Sequence, residues 1–229
     1  MNTTFTFRRT ARHGFTLMEI MIASALGLLV LGAMVGFLRQ SLRVYYSDRL
    51  QLQLNADGRK IRSMIETDSI GATFFCLYDD FATASRATSD SNVLTADGSV
   101  GHCLVLFFTH PDTAADNKAR LDRVVTYYRE ITNTTENSGP VHRKAVDIPS
   151  GTAVYVETDK LYTILRDYLP ASGLSSNPIL VQVAPGVQAT PRLFYKFSNN
   201  SVMIQTQILE EGNNQRVRNI FNFTVSPRG

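Results

Sequence analysis

The sequence predicts an α+β protein in which one long N-terminal helix packs against an antiparallel sheet. The first observation is an apolar run from Ile20 to Leu38 that contains no charged residue. The second is that the apolar residues after this run recur at steps of four or seven, which is typical of an amphipathic helix. The third is that short β-rich runs, separated by turn residues, follow Gly71. An apolar helix stripe and an apolar sheet face bury each other, which favours one α+β domain.

The composition is that of an ordinary globular protein. Of the 229 residues, 44% are apolar and 19% are charged, which argues against a disordered chain and against a multi-span membrane protein. The net charge of +3 comes from Arg8, Arg9 and Arg12, which precede Gly14, and the remaining basic and acidic residues number 20 each. Because the basic excess belongs to this short segment, no nucleic-acid partner is expected.

The apolar run is long enough to cross a lipid bilayer. Its 19 residues would form a helix of about 28 Å at ~1.5 Å per residue, which is one bilayer's hydrocarbon thickness. One alternative is a cleaved secretory signal, but the run is longer than such signals and leads directly into Arg39. The other is a buried core helix, which rarely continues for five turns without a polar face. A single membrane-spanning helix is therefore predicted.

One acidic residue, Glu19, lies at the edge of the apolar run. An unpaired carboxylate drawn into the bilayer costs on the order of 2.5–3.5 kcal/mol, so Glu19 needs a partner, and no basic residue follows Gly14 nearby. The alternative is a solvated Glu19 in the headgroup region. Physical chemistry alone leaves both open.

Residues 14–19 read Gly-Phe-Thr-Leu-Met-Glu and resemble the processing and methylation motif of type IV prepilins. In that family a short basic leader ends in Gly, and Phe-Thr-Leu, an apolar residue and Glu precede an apolar run. The resemblance implies that a membrane aspartyl peptidase cuts after Gly14 and methylates the new amino terminus, Phe15. It also implies that Glu19 pairs with the Phe15 amine of an adjacent subunit, which would fix the register between neighbouring helices.

The same resemblance implies the pilin architecture and its membrane orientation. Counting charges leaves the orientation undecided, because arginines flank the apolar run on both sides, so the orientation depends on the motif. The implied segments are a cleaved cytoplasmic leader (1–14), a transmembrane helix half (15–38), an amphipathic helix half (39–70) and a periplasmic β-rich head (71–229).

The amphipathic half is predicted from its apolar stripe, with Gly71 as the first plausible end of the helix. The alternative is a helix broken near Asp57 and Gly58. The stripe consists of Leu42, Tyr46, Leu50, Leu54, Ile61 and Ile65.

The head is predicted to hold seven short strands. The clearest signal is a hairpin within 193–209, whose turn would be residues 198–201. Long polar loops are expected at Thr83–Gly101 and Thr132–Gly139. The candidate strands are Leu104–Thr109, Val124–Arg129, Ala153–Val156, Tyr162–Leu165, Leu193–Phe197, Val202–Leu209 and Phe221–Val225.

The two cysteines, Cys76 and Cys103, follow the helix and open the first strong strand, respectively. In the oxidising compartment that the resemblance implies, a disulfide between them would join the helix end to the sheet across 27 positions. The alternative is two unpaired core residues.

The sequence carries no recognisable catalytic or metal-binding pattern. His102 and His110 share strand parity, but eight residues of strand span about 26 Å, which is too far for one metal ion. Both are expected to be solvated edge residues. No hydrolase, nucleotide, dinucleotide or zinc motif is present, so neither an enzyme nor a cofactor is predicted.

The resemblance is closest to the minor subunits of the superfamily. Major pilins often carry a helix-kinking Pro and a C-terminal disulfide loop, whereas the first proline here is Pro111 and the last cysteine is Cys103. The C-terminal residues 218–228 are similar to those of W-type minor pilins and of J-type minor pseudopilins of type II secretion. This implies a structural subunit that helps initiate or cap assembly of a type IV pilus or a pseudopilus.

The implied partners are the prepilin peptidase and methyltransferase, other minor and major pilins or pseudopilins, the inner-membrane assembly platform and the lipid bilayer. The implied location is the inner membrane, crossed once, with a periplasmic head. One alternative is a pilus-tip adhesin or receptor with an aromatic groove. The other is a signal-anchored periplasmic enzyme, for which Gly14 and Glu19 would be incidental. The candidate groove residues are Tyr127, Tyr128, Tyr155 and Tyr162.

Overall fold

In the computed structural model the chain divides into two compact units, Met1–Ser47 and Asp48–Gly229. The described residues are 14–112, 115, 118–132, 139–149, 151–156, 160–169, 178–185, 192–197, 199–212 and 215–227.

Helix α1 runs from Leu17 to Gly71 without interruption, so the predicted helix end at Gly71 is confirmed and a break near Gly58 does not occur. Gly58 is buried, and a Cβ atom at this position would come within 3.2 Å of the Phe221 ring. Glycine at position 58 therefore permits a close approach between helix and sheet. The buried residues of α1 are spaced by three or four, as on one helix face, and are Leu54, Gly58, Ile61, Ile65 and Ser69.

In the first unit the large apolar side chains of α1 are exposed among the residues that the structure describes. Every large apolar side chain from Phe15 to Leu38 is at least 49% exposed. Within the described ranges, α1 is the helix with the length and composition to cross a membrane. A continuous apolar surface of this extent is suited to lipid.

The second unit holds a sheet in which every described strand pair is antiparallel. Its order is β1-β3-β4-β5-β6-β8-β7-β2, and β9 pairs with β8. The strands are β1 (Phe74–Tyr78), β2 (Val100–Gly101), β3 (Cys103–Asp112), β4 (Lys118–Arg129), β5 (Gly139–Asp147), β6 (Pro178–Pro185), β7 (Phe194–Phe197), β8 (Ser201–Gly212) and β9 (Gln215–Val225).

Two hydrophobic clusters cover the two faces of this sheet. Successive side chains of a strand point to opposite faces, so Leu77 packs in the cluster with α1, whereas Cys76 and Tyr78 pack in the other. Two short helices, α2 (Phe81–Ser85) and α3 (Leu161–Tyr168), contribute to this second cluster. The sheet thus packs on α1 on one face, and its β1, β3 and β4 strands pack on the two short helices on the other.

Five of the seven predicted strands coincide with observed ones, and two do not. Tyr162–Leu165 belongs to α3, because its apolar residues recur at 161, 164, 165 and 168, which is a helical period. Among the described residues, Ala153–Val156 contributes one isolated bridge, between Tyr155 and Arg120, and no strand. The predicted hairpin is confirmed: Phe197 pairs with Ser201, and Asn200 has a φ of 55° in the turn.

Four of the observed strands are not predicted from the sequence, namely β1, β2, β5 and β6. The predicted loop Thr83–Gly101 contains the end of α2, a 3-10 turn at Asp90–Asn92 and β2. Of the predicted loop Thr132–Gly139, residues 133–138 lie outside the described part, and Gly139 begins β5.

Candidate processing and assembly site

The bond between Gly14 and Phe15 lies outside regular structure, three residues before α1 begins. Gly14 is exposed, and a Cβ atom at this position would meet nothing within 4 Å. Phe15 is 80% exposed. Proteases cut preferentially at exposed bonds outside regular structure, so the local structure is compatible with cleavage here.

Thr16 and Glu19 form a capping box at the start of α1. The Thr16 backbone N–H donates to Glu19 Oε2 at 2.9 Å, and the Glu19 backbone N–H donates to Thr16 Oγ1 at 3.3 Å. The Thr16 hydroxyl also donates to Glu19 Oε2, at 3.2 Å. These bonds satisfy two of the N–H groups that have no partner within the helix, and the carboxylate is favoured near the positive end of the helix dipole.

The capping box gives Glu19 a partner that the sequence analysis did not find. The signal was present, because Thr-x-x-Glu directly before an apolar run is the sequence pattern of such a box. Both bonds to the carboxylate end on Oε2. The box therefore leaves the accepting capacity of Oε1 for another donor.

The comparison with protein families matches this same segment. Residues 9–35 match the family described as the prokaryotic N-terminal methylation motif. The segment carries a prepilin-type methylation motif. No curated protein and no solved structure matches the chain. Together with the long apolar helix and the antiparallel sheet, the motif supports a type IV pilin-like or pseudopilin-like protein, and the pilins that carry this motif are structural rather than enzymatic.

The two cysteines lie near each other on one face of the sheet. Cys76 pairs in register with Val105, and Cys103 pairs with Tyr78, so the cysteines are diagonal neighbours on β1 and β3. The predicted disulfide is not formed in the structure, where both are free, buried thiols. Diagonal Cα atoms are typically ~7–8 Å apart, slightly beyond the usual range of a disulfide. The bond would require backbone movement that brings the two cysteines closer together, and it stays a prediction.

Burial makes both thiols unreactive in the folded protein. It raises the pKa of Cys76 to about 12 and that of Cys103 well above its ordinary value. Because the thiolate is the reactive form, neither side chain is expected to react with solvent reagents before unfolding.

Of the two histidines that were expected to be solvated, His110 is solvated and His102 is not. His110 is exposed, and its Nδ1 lies 2.7 Å from Asp122 Oδ2. His102, however, is only 3% exposed. It lies between β2 and β3, where its backbone N–H donates to Asp79 O and its backbone O accepts from Arg129 N–H, so long-range pairing buries it. Sequence parity could not show this.

The four candidate groove tyrosines do not form one groove. Tyr127 is buried in the cluster that contains α1, whereas Tyr128 is buried in the cluster on the opposite face. Tyr155 bonds to Asp112, and Tyr162 belongs to α3. In the part of the chain that the structure describes, no group of three His, Cys, Asp or Glu side chains could hold a metal ion.

Proposed function

We propose that this protein is a minor pilin or minor pseudopilin, a structural subunit that helps initiate or cap a type IV pilus or a type II secretion pseudopilus. The observation that carries the proposal is the methylation motif in register with an exposed apolar helix. The basic leader, the accessible Gly14–Phe15 bond and the capped helix start occupy consecutive positions. Each would be needed by a subunit that is cut, methylated and then packed against other helices.

The proposal includes the location and the partners of the chain. The subunit would be inserted once in the inner membrane, with its leader in the cytoplasm and its head in the periplasm. The exposed residues of α1 from Phe15 to Leu38 would contact lipid before assembly and neighbouring pilin helices afterwards. The proposed partners are the prepilin peptidase, other pilins or pseudopilins and the inner-membrane assembly platform.

Cleavage would create the charge that Glu19 is proposed to meet. Hydrolysis after Gly14 leaves an ammonium group on Phe15, directly before the helix cap at Thr16. A positive charge at a helix N-terminus is unfavourable within its own helix, so an acceptor on another subunit is favoured. Glu19 could provide it through Oε1 while Oε2 remains in the capping box. The charge pair would set the register between two apolar helices.

The assignment to the minor class is supported by one feature of α1 and one of the head. The first proline is Pro111, so the apolar half of α1 has no proline kink. The last cysteine is Cys103, which precedes most of the sheet and cannot close a C-terminal disulfide loop. Both features differ from those often found in major pilins.

Three variants test the role of Glu19 by cross-linking to partner pilins in cells and by recovery in sheared filaments or partner complexes. Glu19→Ala should insert and be cut, but it should fail to join partners. Glu19→Gln retains the hydrogen bonds of a capping box and loses only the charge, so it should also fail if the ion pair drives assembly. Glu66→Ala removes another carboxylate of α1, one bonded to Arg62, and should assemble normally. Normal recovery of Glu19→Ala would contradict the proposal.

A further inference from the structure

A cavity of about 340 Å³ lies beside the end of β4, on the face of the sheet that carries α2. Its buried lining consists of Phe81, His102, Tyr128 and Arg129, and Arg86 and Ile131 are exposed at its rim. The volume is within the range of small-molecule sites, and the mixture of apolar surface with a few polar groups is typical of them.

Two of the buried lining residues, His102 and Arg129, are polar and bond to each other. Each is 3% exposed. The Arg129 backbone N–H donates to His102 O at 3.0 Å, and Arg129 Nη2 lies 3.2 Å from His102 Nε2. The His102 backbone N–H donates to Asp79 O at 2.8 Å. Strand pairing thus places the two residues beside each other at the cavity.

This geometry determines which nitrogen of His102 carries the proton. A guanidinium has no acceptor, so His102 Nε2 must accept from Arg129 and Nδ1 must carry the hydrogen of the neutral ring. Burial, together with the positive charges of Arg129 and Arg192, lowers the pKa of His102 to about 3, so the neutral form prevails near pH 7. His102 Nδ1 is buried and has no hydrogen-bond partner among the described residues. A buried donor without an acceptor points to a missing one.

We propose that this cavity binds a carboxylate carried on an apolar group. The carboxylate would accept from His102 Nδ1–H and from the Arg129 guanidinium, and the apolar group would lie against Phe81 and Tyr128. A guanidinium fork matches the geometry of a carboxylate. This site is separate from the N-terminal motif and does not depend on the proposed assembly role.

The rim of the cavity favours a single negative charge over a phosphate. Asp80 accepts from the Thr83 backbone N–H at 2.5 Å, and Glu130 lies 3.3 Å from His142 Nε2. Both carboxylates line the cavity, so a doubly charged phosphate would be repelled more strongly than a monocarboxylate.

The test follows the His102 ring by nuclear magnetic resonance in the full chain in detergent micelles. The expected result is an Nδ1–H tautomer without ligand, and a saturable shift on addition of 3-phenylpropionate. The matched amide, 3-phenylpropanamide, should give no such shift. An Nε2–H tautomer, equal shifts with acid and amide, tighter binding of inorganic phosphate, or no saturable shift would each overturn the proposal.

Variants assign the binding to the named groups. Arg129→Gln should weaken 3-phenylpropionate binding at least ~10-fold, because a charge-assisted bond is lost. Arg86→Gln changes an exposed rim residue, so it should fold normally and weaken binding roughly twofold. The control, Lys118→Gln, lies at the opposite end of β4 from Arg129 and should bind as the unaltered protein does. Unchanged affinity in both arginine variants would overturn the proposal. If a variant fails to fold, the comparison of acid with amide still tests the proposal, because it uses the unaltered protein.

A third ligand distinguishes the two sources of such a carboxylate. N-acetyl-phenylalanine represents the C-terminal residue of a protein chain, whereas 3-phenylpropionate represents a free acid. Tighter binding of the acetylated amino acid supports a chain end of a partner protein, and tighter binding of the free acid supports a small carboxylic acid. Failure of both acids overturns the proposal.

Discussion

Arg143 on β5 donates two hydrogen bonds to the Asp68 carboxylate on α1, from Nε to Oδ2 at 2.8 Å and from Nη2 to Oδ1 at 3.1 Å. The Tyr127 hydroxyl donates to the same Oδ2 at 2.5 Å. The two charged side chains are 23% and 12% exposed, so the pair is largely removed from water. This network joins the C-terminal part of α1 to the middle of the sheet, within the second unit.

Removal of Arg143 is expected to destabilise the packing of α1 on the sheet. Arg143→Met should lower the free energy of unfolding by about 2 kcal/mol, because it leaves the Asp68 carboxylate partly buried without its cation. Arg62→Met is the control, since its pair with Glu66 is exposed and is worth about 0.5 kcal/mol or less. Denaturant unfolding of the full chain in micelles provides the measurement, and equal losses in the two variants would contradict the prediction.

Cleavage is expected between Gly14 and Phe15. Mass spectrometry of protein from cells with an active prepilin peptidase should find a mature chain that begins with methylated Phe15. Gly14→Ala should still be cut in part, because alanine is nearly as small as glycine at the residue that precedes the bond, whereas the bulky Gly14→Phe should remain uncut. A chain that begins at Met1 or after Leu38 would contradict this.

The capping box is expected to stabilise the first turn of α1. Thr16→Ala should lower the local stability by about 1 kcal/mol, and Thr16→Ser should retain most of it because its hydroxyl can make the same bonds. Amide hydrogen exchange of residues 17–20 in the cleaved protein measures this directly. If Thr16→Ala and Thr16→Ser exchange at the same rate, the box contributes nothing to the helix start.

The disulfide between Cys76 and Cys103 remains a prediction that a thiol count can test. Protein from the oxidising compartment, denatured without reductant, should show no free thiol, and reduction should then reveal two free thiols. The reduced protein should also have a free energy of unfolding lower by about 3 kcal/mol. Denaturation is required because burial raises the pKa of both thiols, which suppresses their reaction in the folded state. Two free thiols before reduction would refute the bond.

Stability is expected to fall at acidic pH partly because of His102. In the folded protein, burial and the charges of Arg129 and Arg192 lower its pKa to about 3, although the Asp80 carboxylate acts in the opposite direction. In the unfolded chain it protonates near pH 6.5. The contribution of neutral His102 to the free energy of unfolding is therefore fully present above pH 6.5. It is lost as the pH falls toward 3, by at most about 1.4 kcal/mol per pH unit.

The variant His102→Asn should reduce this pH dependence. Its stability should change less between pH 6.5 and 5 than that of the unaltered protein, because the titrating group is absent. His110→Asn, which alters an exposed histidine, is the control. Equal pH slopes in all three proteins would show that His102 does not titrate as expected.

Local sequence patterns were sufficient for the features that depend on neighbouring residues. Each of these features is contained in a short window of sequence: the apolar run, the continuation of α1 to Gly71, the hairpin turn before Ser201 and the Gly14–Glu19 string. Their periods and turn residues are imposed by backbone geometry, which acts between residues close in the chain. The capping box of Thr16 and Glu19 is also such a local pattern, although it was not predicted from the sequence.

Only the tertiary structure determined the features that depend on strand pairing across long separations. Asp68 and Arg143 are 75 residues apart in sequence, and His102 is buried because its backbone pairs with Asp79 and Arg129. The diagonal positions of the two cysteines likewise follow from the register of β1 on β3. A shift of one residue in such a register moves every side chain to the other face, and no short window of sequence specifies it. The N-terminal motif could therefore be predicted from the sequence, whereas the cavity beside His102 and Arg129 could not.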